Sequence, residues 1–384
     1  MHIPSSPDEH ILVLIDRKEN KMYVTVFRPP HVKKLTIDEI IANPFIPMPE
    51  KGESKRVTLE ISEEYGKKLY YKNCMFRSSI SHLYDSLENT EEHYRHFRIP
   101  KKTDPRKYRD IDAPDEQLTL IQGIILNYIQ NGWNVVPHPS AFAYVKNNST
   151  INAMKRHQNN KSNWYLHIDL KDFFPSITED VLRQSLSQVY PFPYLPKEEF
   201  ETIIKYTLLD GKCPQGSKLS PILSNLVMVP VDYKINNILH NYNKHHFVYT
   251  RYADDMTISC KEEFNPKEIT DIIINIFKEL NLPFKINHSK TRYGNRSGKN
   301  YHLGVIINKD NKISIGHKKN DKFRAMIYNF CQVGTEWDVS DVHKMLGLIS
   351  YYKSIEPDFV KNTLEKYNKK FNTDILKKAK KMIK

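Results

Sequence analysis

The sequence predicts an α+β protein of two or three lobes. It begins with a strand pair, its middle alternates strands with helices, and its tail is helical. Three observations carry this expectation. The chain has 384 residues, more than one typical domain needs. In the middle, apolar runs of period two alternate with helical runs, and the strands carry acids at their ends. From about residue 316 the pattern is helical to the end. No internal repeat is visible.

The elements follow in order. Residues 11–28, "ILVLIDRKENKMYVTVFR", read as two strands joined by a polar turn. Residues 30–60 are Pro-rich and read as irregular. Residues 61–90 have helical spacing, ending near "SSISHLYDSLEN". The basic stretch "FRIPKKTDPRKYRDIDAP", 97–114, has a turn at its centre and reads as a hairpin. "DEQLTLIQGIILNYIQNG", 115–132, is an amphipathic helix closed by Gly132. "STINAMKRHQNN", 149–160, is another helix.

"WYLHIDLKDFFPSI", 164–177, is a strand running into a turn. "EDVLRQSLSQVY" and "KEEFETIIKYTLL" are helices. "PQGSKLSPILSNLVMVPVDYKINNILH" is a Gly/Pro loop followed by one long helix. "FVYTRYADDMTISC", 247–260, is a hairpin, and "PKEITDIIINIFKEL" a helix. "KINHSKTRYG" and "YHLGVIIN" supply short strands. The lysine-rich end, "KYNKKFNTDILKKAKKMIK", is a solvated helix face by default, or a face along a phosphate backbone.

Lys and Arg total 58 against 45 Asp and Glu, a net charge of +13. That excess favours a polyanionic partner, although a Lys-, Asn- and Ile-rich composition accounts for part of it. The four cysteines, Cys74, Cys213, Cys260 and Cys331, have no short pairing. That excludes a zinc knuckle, argues against a disulfide scaffold and points to a reducing interior. The first residues, "MHIPSSPDEH", lack the basic start and apolar run of a signal peptide. No apolar run approaches the roughly 18 residues of a membrane span. A cytoplasmic, membrane-free location is the expectation.

Three acids stand out by context. Asp169 ends the strand "WYLHI", and Asp254 and Asp255 sit side by side within a hairpin of Val, Tyr, Thr and Ile. Carboxylates are poor strand formers and costly to bury unpaired. They are either turn residues facing solvent or holders of something positive. A strand-end Asp beside a two-Asp turn is an economical Mg²⁺ cluster, because Mg²⁺ takes a few carboxylates plus substrate oxygens. Without cations the crowded acids would raise each other's pKa. His157 and the pair His245 and His246 lack ligand spacing and are set aside as metal ligands.

The order of motifs chooses between these readings. "FRIPKKTDPRKYRDIDAP", "LHIDLKDFFPSI", "PQGSKLSPILSNL", "YADD", "NHSKT" with "YHLGVII", and "MLGLISYYKSIEP" occur in one sequence. Together, over roughly residues 94–360, they resemble the reverse transcriptases, in the bacterial branch that includes retron and group II intron enzymes. The resemblance implies a right-hand polymerase fold of fingers, palm and helical thumb, with an N-terminal extension. Its boundaries would be 1–90 for the extension with its hairpin, 91–163 for the fingers, 164–310 for the palm with inserted fingers helices, and 311–384 for the thumb and basic C-terminal helix.

The resemblance also implies roles. Asp169, Asp254 and Asp255 would bind two Mg²⁺ ions, with Mn²⁺ as a substitute; the second Asp of the pair is the family's more tolerant position. Such ions lie about 4 Å apart, one on the attacking 3′-oxygen and one on the triphosphate. Lys102 and Arg109 would contact the incoming dNTP, Arg as a fork and Lys as a point charge. Lys101, Arg106 and Lys107 would touch template phosphates or only solvent. Phe174 would stand under C2′ as a sugar gate favouring deoxynucleotides, with Phe173 a core residue. Gln215 and Gly216 would form the loop over the nucleotide, where a missing side chain allows close backbone approach. Lys290 would serve as general acid for pyrophosphate, or be a surface lysine. Leu303 and Gly304 would form the primer grip, or simply pack.

The expected activity is RNA-directed DNA synthesis on a dedicated, structured noncoding RNA, giving nascent DNA, with anti-phage defence as the setting. An effector protein or a second copy of the chain is a further expected partner. Two departures from the usual retron pattern are visible. "NAMKRH" is one residue longer than NAxxH, and "HLG" stands where a VTG triplet is usual. The length after the primer-grip region suits a thumb and leaves little room for a maturase or endonuclease extension. The rival expectations are untemplated or repeat-DNA synthesis on the same fold, and a silent RNA-binding scaffold subunit. The three intact acids oppose the last.

Overall fold

The computed structural model describes residue 80 and residues 83–383, apart from 102–103, 133–134, 136, 190–191, 243–245, 297–302 and 333. Before residue 80 it describes four strands: β1 (His2–Ile3), β2 (Val13–Lys18), β3 (Lys21–Arg28) and β4 (Lys55–Ile61). They form an antiparallel sheet in chain order. The pair β2–β3 is the expected early hairpin. β4 corrects the irregular reading of 30–60: Val57, Leu59 and Ile61 alternate at the strand period.

The helix expected over 61–90 is corrected where it can be seen. Residue 61 is still strand, residues 62–79, with Cys74, lie outside the described residues, and 83–90 are turns. The Tyr206 hydroxyl holds this segment, donating to Leu83 O at 2.5 Å and accepting from Leu87 N at 3.2 Å. Those bonds serve the backbone groups a helix would have paired with itself.

The expected basic hairpin is β5 (Tyr94–Lys101) and β6 (Asp104–Pro114). Asp115 caps the next helix, α1 (Glu116–Asn127), by accepting from Leu118 N at 2.9 Å. A π-helical turn carries the chain on to Gly132. Ser149 caps α2 (Thr150–Asn159), which leads into β7 (Trp164–Lys171). Helices α3 (Glu179–Leu186) and α4 (Lys197–Thr207) follow. The single long helix expected after the Gly/Pro loop is two, α5 (Ser220–Val227) and α6 (Val229–Asn241). Pro230 lies in the first turn of α6, where its missing N–H costs least, so the break falls before it.

β8 (Val248–Tyr252) and β9 (Asp255–Cys260) form the expected hairpin. After α7 (Pro266–Glu279) come β10 (Lys285–Ile286) and β11 (Arg292–Asn295). β10 and β11 both pair with one edge of β7, giving a sheet ordered β10-β7-β9-β8 with β11 beside β10. A small hairpin, β12 (Ile306–Ile307) and β13 (Ile313–Ser314), precedes four helices. These are α8 (His317–Cys331), α9 (Val339–Ile355), α10 (Pro357–Phe371) and α11 (Ile375–Met382).

Two hydrophobic cores result. The larger lies under the central sheet and takes Leu166, Ile168, Leu170, Phe173, Met256 and Ile258 with α1 and α3 to α7. The smaller joins α8 to α11 with Val305, Ile307, Met154 and Tyr165. Each fully buried aliphatic side chain contributes about 1.5–3 kcal/mol. Cys213, Cys260 and Cys331 are buried free thiols within these cores. Among the described residues no helix is long and apolar enough to cross a membrane.

Candidate active site

The sheet brings the three acids together. In the β7–β9 register Asp169 lies directly opposite Asp255. Like charges in that relation are unfavourable, so local rigidity has to hold them there. Asp254 occupies the tight turn between β8 and β9, and its carbonyl accepts from Leu170 N at 3.1 Å. The turn has only two central residues, Ala253 and Asp254, and Ala253 takes a left-handed φ of 57°. Glycine is the usual occupant of such a position.

A buried network compensates for that strain. Arg251 and Asp232 are both 0% exposed in their side chains and pair at 2.7 Å. Arg251 Nε donates to Asp232 Oδ1 at 2.9 Å, completing a two-pronged contact. Its Nη1 donates to Asn225 Oδ1 at 3.0 Å and to Ala253 O at 3.2 Å, gripping the strained turn from below. The Tyr249 hydroxyl donates to Asp232 Oδ1 at 2.6 Å. A buried pair survives only when its remaining hydrogen-bonding groups are met, and here they are.

Electrostatics around the acids are tense. Burial pushes the Asp255 carboxyl up to about 6, with the charges of Asp254 and Asp169 adding to the shift. Burial also raises Asp254, and Asp169 adds to it, while Lys290 and Arg109 pull the other way. Lys290 Nζ lies 2.8 Å from Asp169 Oδ1 and 3.0 Å from Oδ2. Asn287 donates its side-chain amide to Asp169 Oδ2 at 3.1 Å and its backbone N–H to Asp169 O at 2.8 Å.

These residues fit a divalent cation. Three oxygen-donor carboxylates lie close together, Asp254 and Asp255 raised by burial and then by neighbouring charge, and a cation would relieve that cost. Among the described residues no group of three Asp, Glu, His or Cys side chains is placed, as it stands, to hold a metal ion. Asp169 is turned to Lys290 and Asn287, so a cation would compete with the lysine for the same oxygens.

The other expected residues fall into place unevenly. Phe174 is half-buried in the turn after β7, its ring 5.5 Å from that of Phe173, which is core. Arg109 is exposed on β6 and its charge reaches Asp254. Lys101, Arg106 and Lys107 are exposed on the same hairpin. Lys102 lies outside the described residues. Gln215 O accepts from Asp112 N at 2.7 Å. Gly216 has φ 134°, and a Cβ there would stand 2.6 Å from Asp112 O. Its missing side chain therefore serves an approach to the β5–β6 hairpin. Leu303 and Gly304 form a left-handed turn at φ 50° and 88°. Lys319 of α8 donates to Gly304 O, and a Cβ on Gly304 would lie 3.8 Å from the Tyr351 hydroxyl of α9.

His157 makes no metal site. Its ring nitrogens lie 2.6 Å from Ser259 Oγ and 2.8 Å from Thr250 Oγ1, and burial lowers it to about 3, so it is neutral. His245 lies outside the described residues, and the His246 carbonyl accepts from Asn160.

Sequence reasoning missed Arg251, Asp232, Asn225, Asn287 and Gln122. Gln122 is buried in α1; its amide donates to Tyr94 Oη and Tyr206 O, and its carbonyl accepts from Ser217 Oγ and Lys218 N. It ties the base of the hairpin to the loop carrying Gln215 and Gly216. One signal was legible: Asp232 is a lone charge within "VMVPVDY", and Arg251 a lone charge within "FVYTRY".

Residues 99–327, more than half the chain, match the family model for reverse transcriptase (RNA-dependent DNA polymerase). Retron Ec73 reverse transcriptase of Escherichia coli is 32% identical over 70% of this chain and 87% of its own length. Retron Ec86 reverse transcriptase, also of Escherichia coli, is 27% identical over 79% of this chain and 90% of its own. A looser likeness, at TM-score 0.45 and 11% identity, is to apo telomerase from Candida tropicalis, over 85% of this chain and 67% of that one. The chain belongs to the reverse transcriptase family of RNA-directed DNA polymerases, in its bacterial retron-like branch.

Proposed function

We propose that the chain copies a dedicated, structured noncoding RNA into DNA by two-metal nucleotidyl transfer at Asp169, Asp254 and Asp255, in the bacterial cytoplasm and in anti-phage defence. One observation carries the mechanistic part: Asp169 and Asp255 on paired strands and Asp254 in the adjoining turn crowd together beside a lysine, with Asp254 and Asp255 at raised proton affinity. Two Mg²⁺ ions, with Mn²⁺ as substitute, would supply activation of the 3′-oxygen and charge neutralisation at the triphosphate.

The chain's own residues do the rest. Asp169 and Asp254 would hold the cations, and Asp255 would either ligate them or shape the field around Asp254. Arg109 and Lys102 take the triphosphate, and Phe174 excludes a ribose hydroxyl beneath the sugar. Gln215 and Gly216 close the roof under the fingers hairpin. Lys290, whose ammonium already sits in the site, delivers a proton to the leaving pyrophosphate. Leu303 and Gly304, braced by Lys319, hold the primer end. In this reading residues 91–163 are fingers, 164–310 palm and 311–384 thumb, with residues 1–90 an extension.

The test uses purified protein with its co-purified RNA, Mg²⁺ and labelled dNTPs, and sequences the product. The expected product is DNA complementary to one RNA, and it disappears when the RNA is digested first. A product unaffected by RNase pretreatment would refute RNA templating.

A further inference from the structure

Tyr144 is an outlier. It is 45% exposed, and it holds a left-handed φ of 59°. A bulky residue rarely takes that conformation without a reason, and such strain concentrates at functional sites. It was not among the residues the sequence pointed to.

Its place is fixed by geometry. Ala141 forms a parallel bridge with Arg251, and the flanking backbone bonds are Arg251 N to Ser140 O at 2.7 Å and Phe142 N to Arg251 O at 2.8 Å. The two segments run in the same direction from that bridge. The same number of residues on, one reaches Tyr144 and the other reaches Asp254. Asn225 locks both, donating to Ala143 O at 2.7 Å and accepting from Arg251 Nη1 at 3.0 Å. The phenol accordingly feels Asp254, Tyr252 and Arg109. Burial and the Asp254 charge raise its pKa, so at neutral pH it is an O–H donor.

We propose that Tyr144 binds the incoming deoxynucleoside triphosphate, donating its hydroxyl to the nucleotide as it spans from Arg109 to the carboxylate of Asp254. This rests on the reading of Arg109 and Asp254 as the triphosphate and cation sides of the site. A polyphosphate bridging a guanidinium and carboxylate-bound cations would run close to a phenol that feels the charges of both Arg109 and Asp254. The network under Arg251 then serves two ends: it fixes the acid and it fixes the donor.

Single-nucleotide incorporation on an RNA template with a DNA primer tests this, using the full chain. Tyr144→Phe should raise the KM for dNTP about tenfold, the worth of one hydrogen bond to a charged group. Primer–template affinity should stay unchanged. Tyr144→Gly should raise that KM at least as much while melting no lower than wild type, because glycine relieves the left-handed strain. An unchanged KM in Tyr144→Phe, or a loss seen in primer–template affinity instead, overturns the proposal. A Tyr144→Gly protein that melts lower and keeps its KM would assign the tyrosine to packing and overturn it too. Asp254→Ala is run alongside: if it retains incorporation, the underlying reading of the site fails, whatever Tyr144 does.

Discussion

The turn that carries Asp254 and the hairpin that carries Arg109 meet at one site, yet they are held by opposite means. The turn rests on Arg251, Asp232 and Asn225, all buried and all hydrogen-bonded. The hairpin stands out from the body with its residues 95–101 and 105–110 exposed. Its cross-strand pairs, Arg98 with Asp110 and His96 with Asp112, lie largely in solvent. Its joins to the palm are the Gln215 O–Asp112 N bond, the close pass of Gly216, and Gln122 at its base. In the proposed reading, carboxylates that converge on cations sit on a rigid, dry base, and groups that admit and close on a nucleotide sit on an exposed ribbon.

Breaking the dry base should cost most. Arg251→Met leaves Asp232 buried and unpaired, a loss of about 3–5 kcal/mol in denaturant unfolding, with polymerase activity falling as the turn loosens. The tie between base and ribbon comes next. Gly216→Ala places a Cβ against Asp112 O at a φ of 134° that other residues avoid. It should cost about 1–3 kcal/mol and lower incorporation, because the hairpin must shift.

A smaller effect sharpens the account of the acids. In metal-free protein Asp255 titrates near 6, above its ordinary value of 3.8. The folded state therefore binds more protons than the unfolded state between those values, and stability falls as pH rises through that window. Asp255→Asn should flatten this slope in thermal scans from pH 4 to about 6, and melt a few degrees higher at pH 7. Arg98→Ala should do least. Its ion pair is surface-exposed and worth at most about 0.5 kcal/mol, so the melting temperature barely moves.

Most of the fold was legible because its elements are locally consistent. Strands of period two, capped helices and Gly/Pro punctuation marked α1, α2, β7 to β9 and the helical tail. The failures have physical causes. Segment 83–90 looked helical by spacing, but a hydroxyl from Tyr206, distant in sequence, takes its backbone bonds. The helix after the Gly/Pro loop looked continuous because its apolar pattern runs through Pro230.

At the candidate site, local motifs carried the resemblance that points to the acids, Phe174, the Gln215–Gly216 loop and Lys290. The base beneath them was not. Arg251 and Asp232 pair across 19 positions and Asn287 reaches Asp169 across 118, contacts that no local pattern encodes. Tyr144 was invisible for the same reason: what marks it is a backbone angle and a nearby parallel bridge.

In the proposed function Asp254, held by that buried base, is an indispensable part of the polymerising site. The most direct measurement is labelled dNTP incorporation on an RNA template with Mg²⁺, comparing wild type with Asp254→Ala matched for folding by circular dichroism and melting temperature. Incorporation falling to background in a folded variant is the predicted result. A folded Asp254→Ala protein that incorporates at the wild-type rate would contradict it.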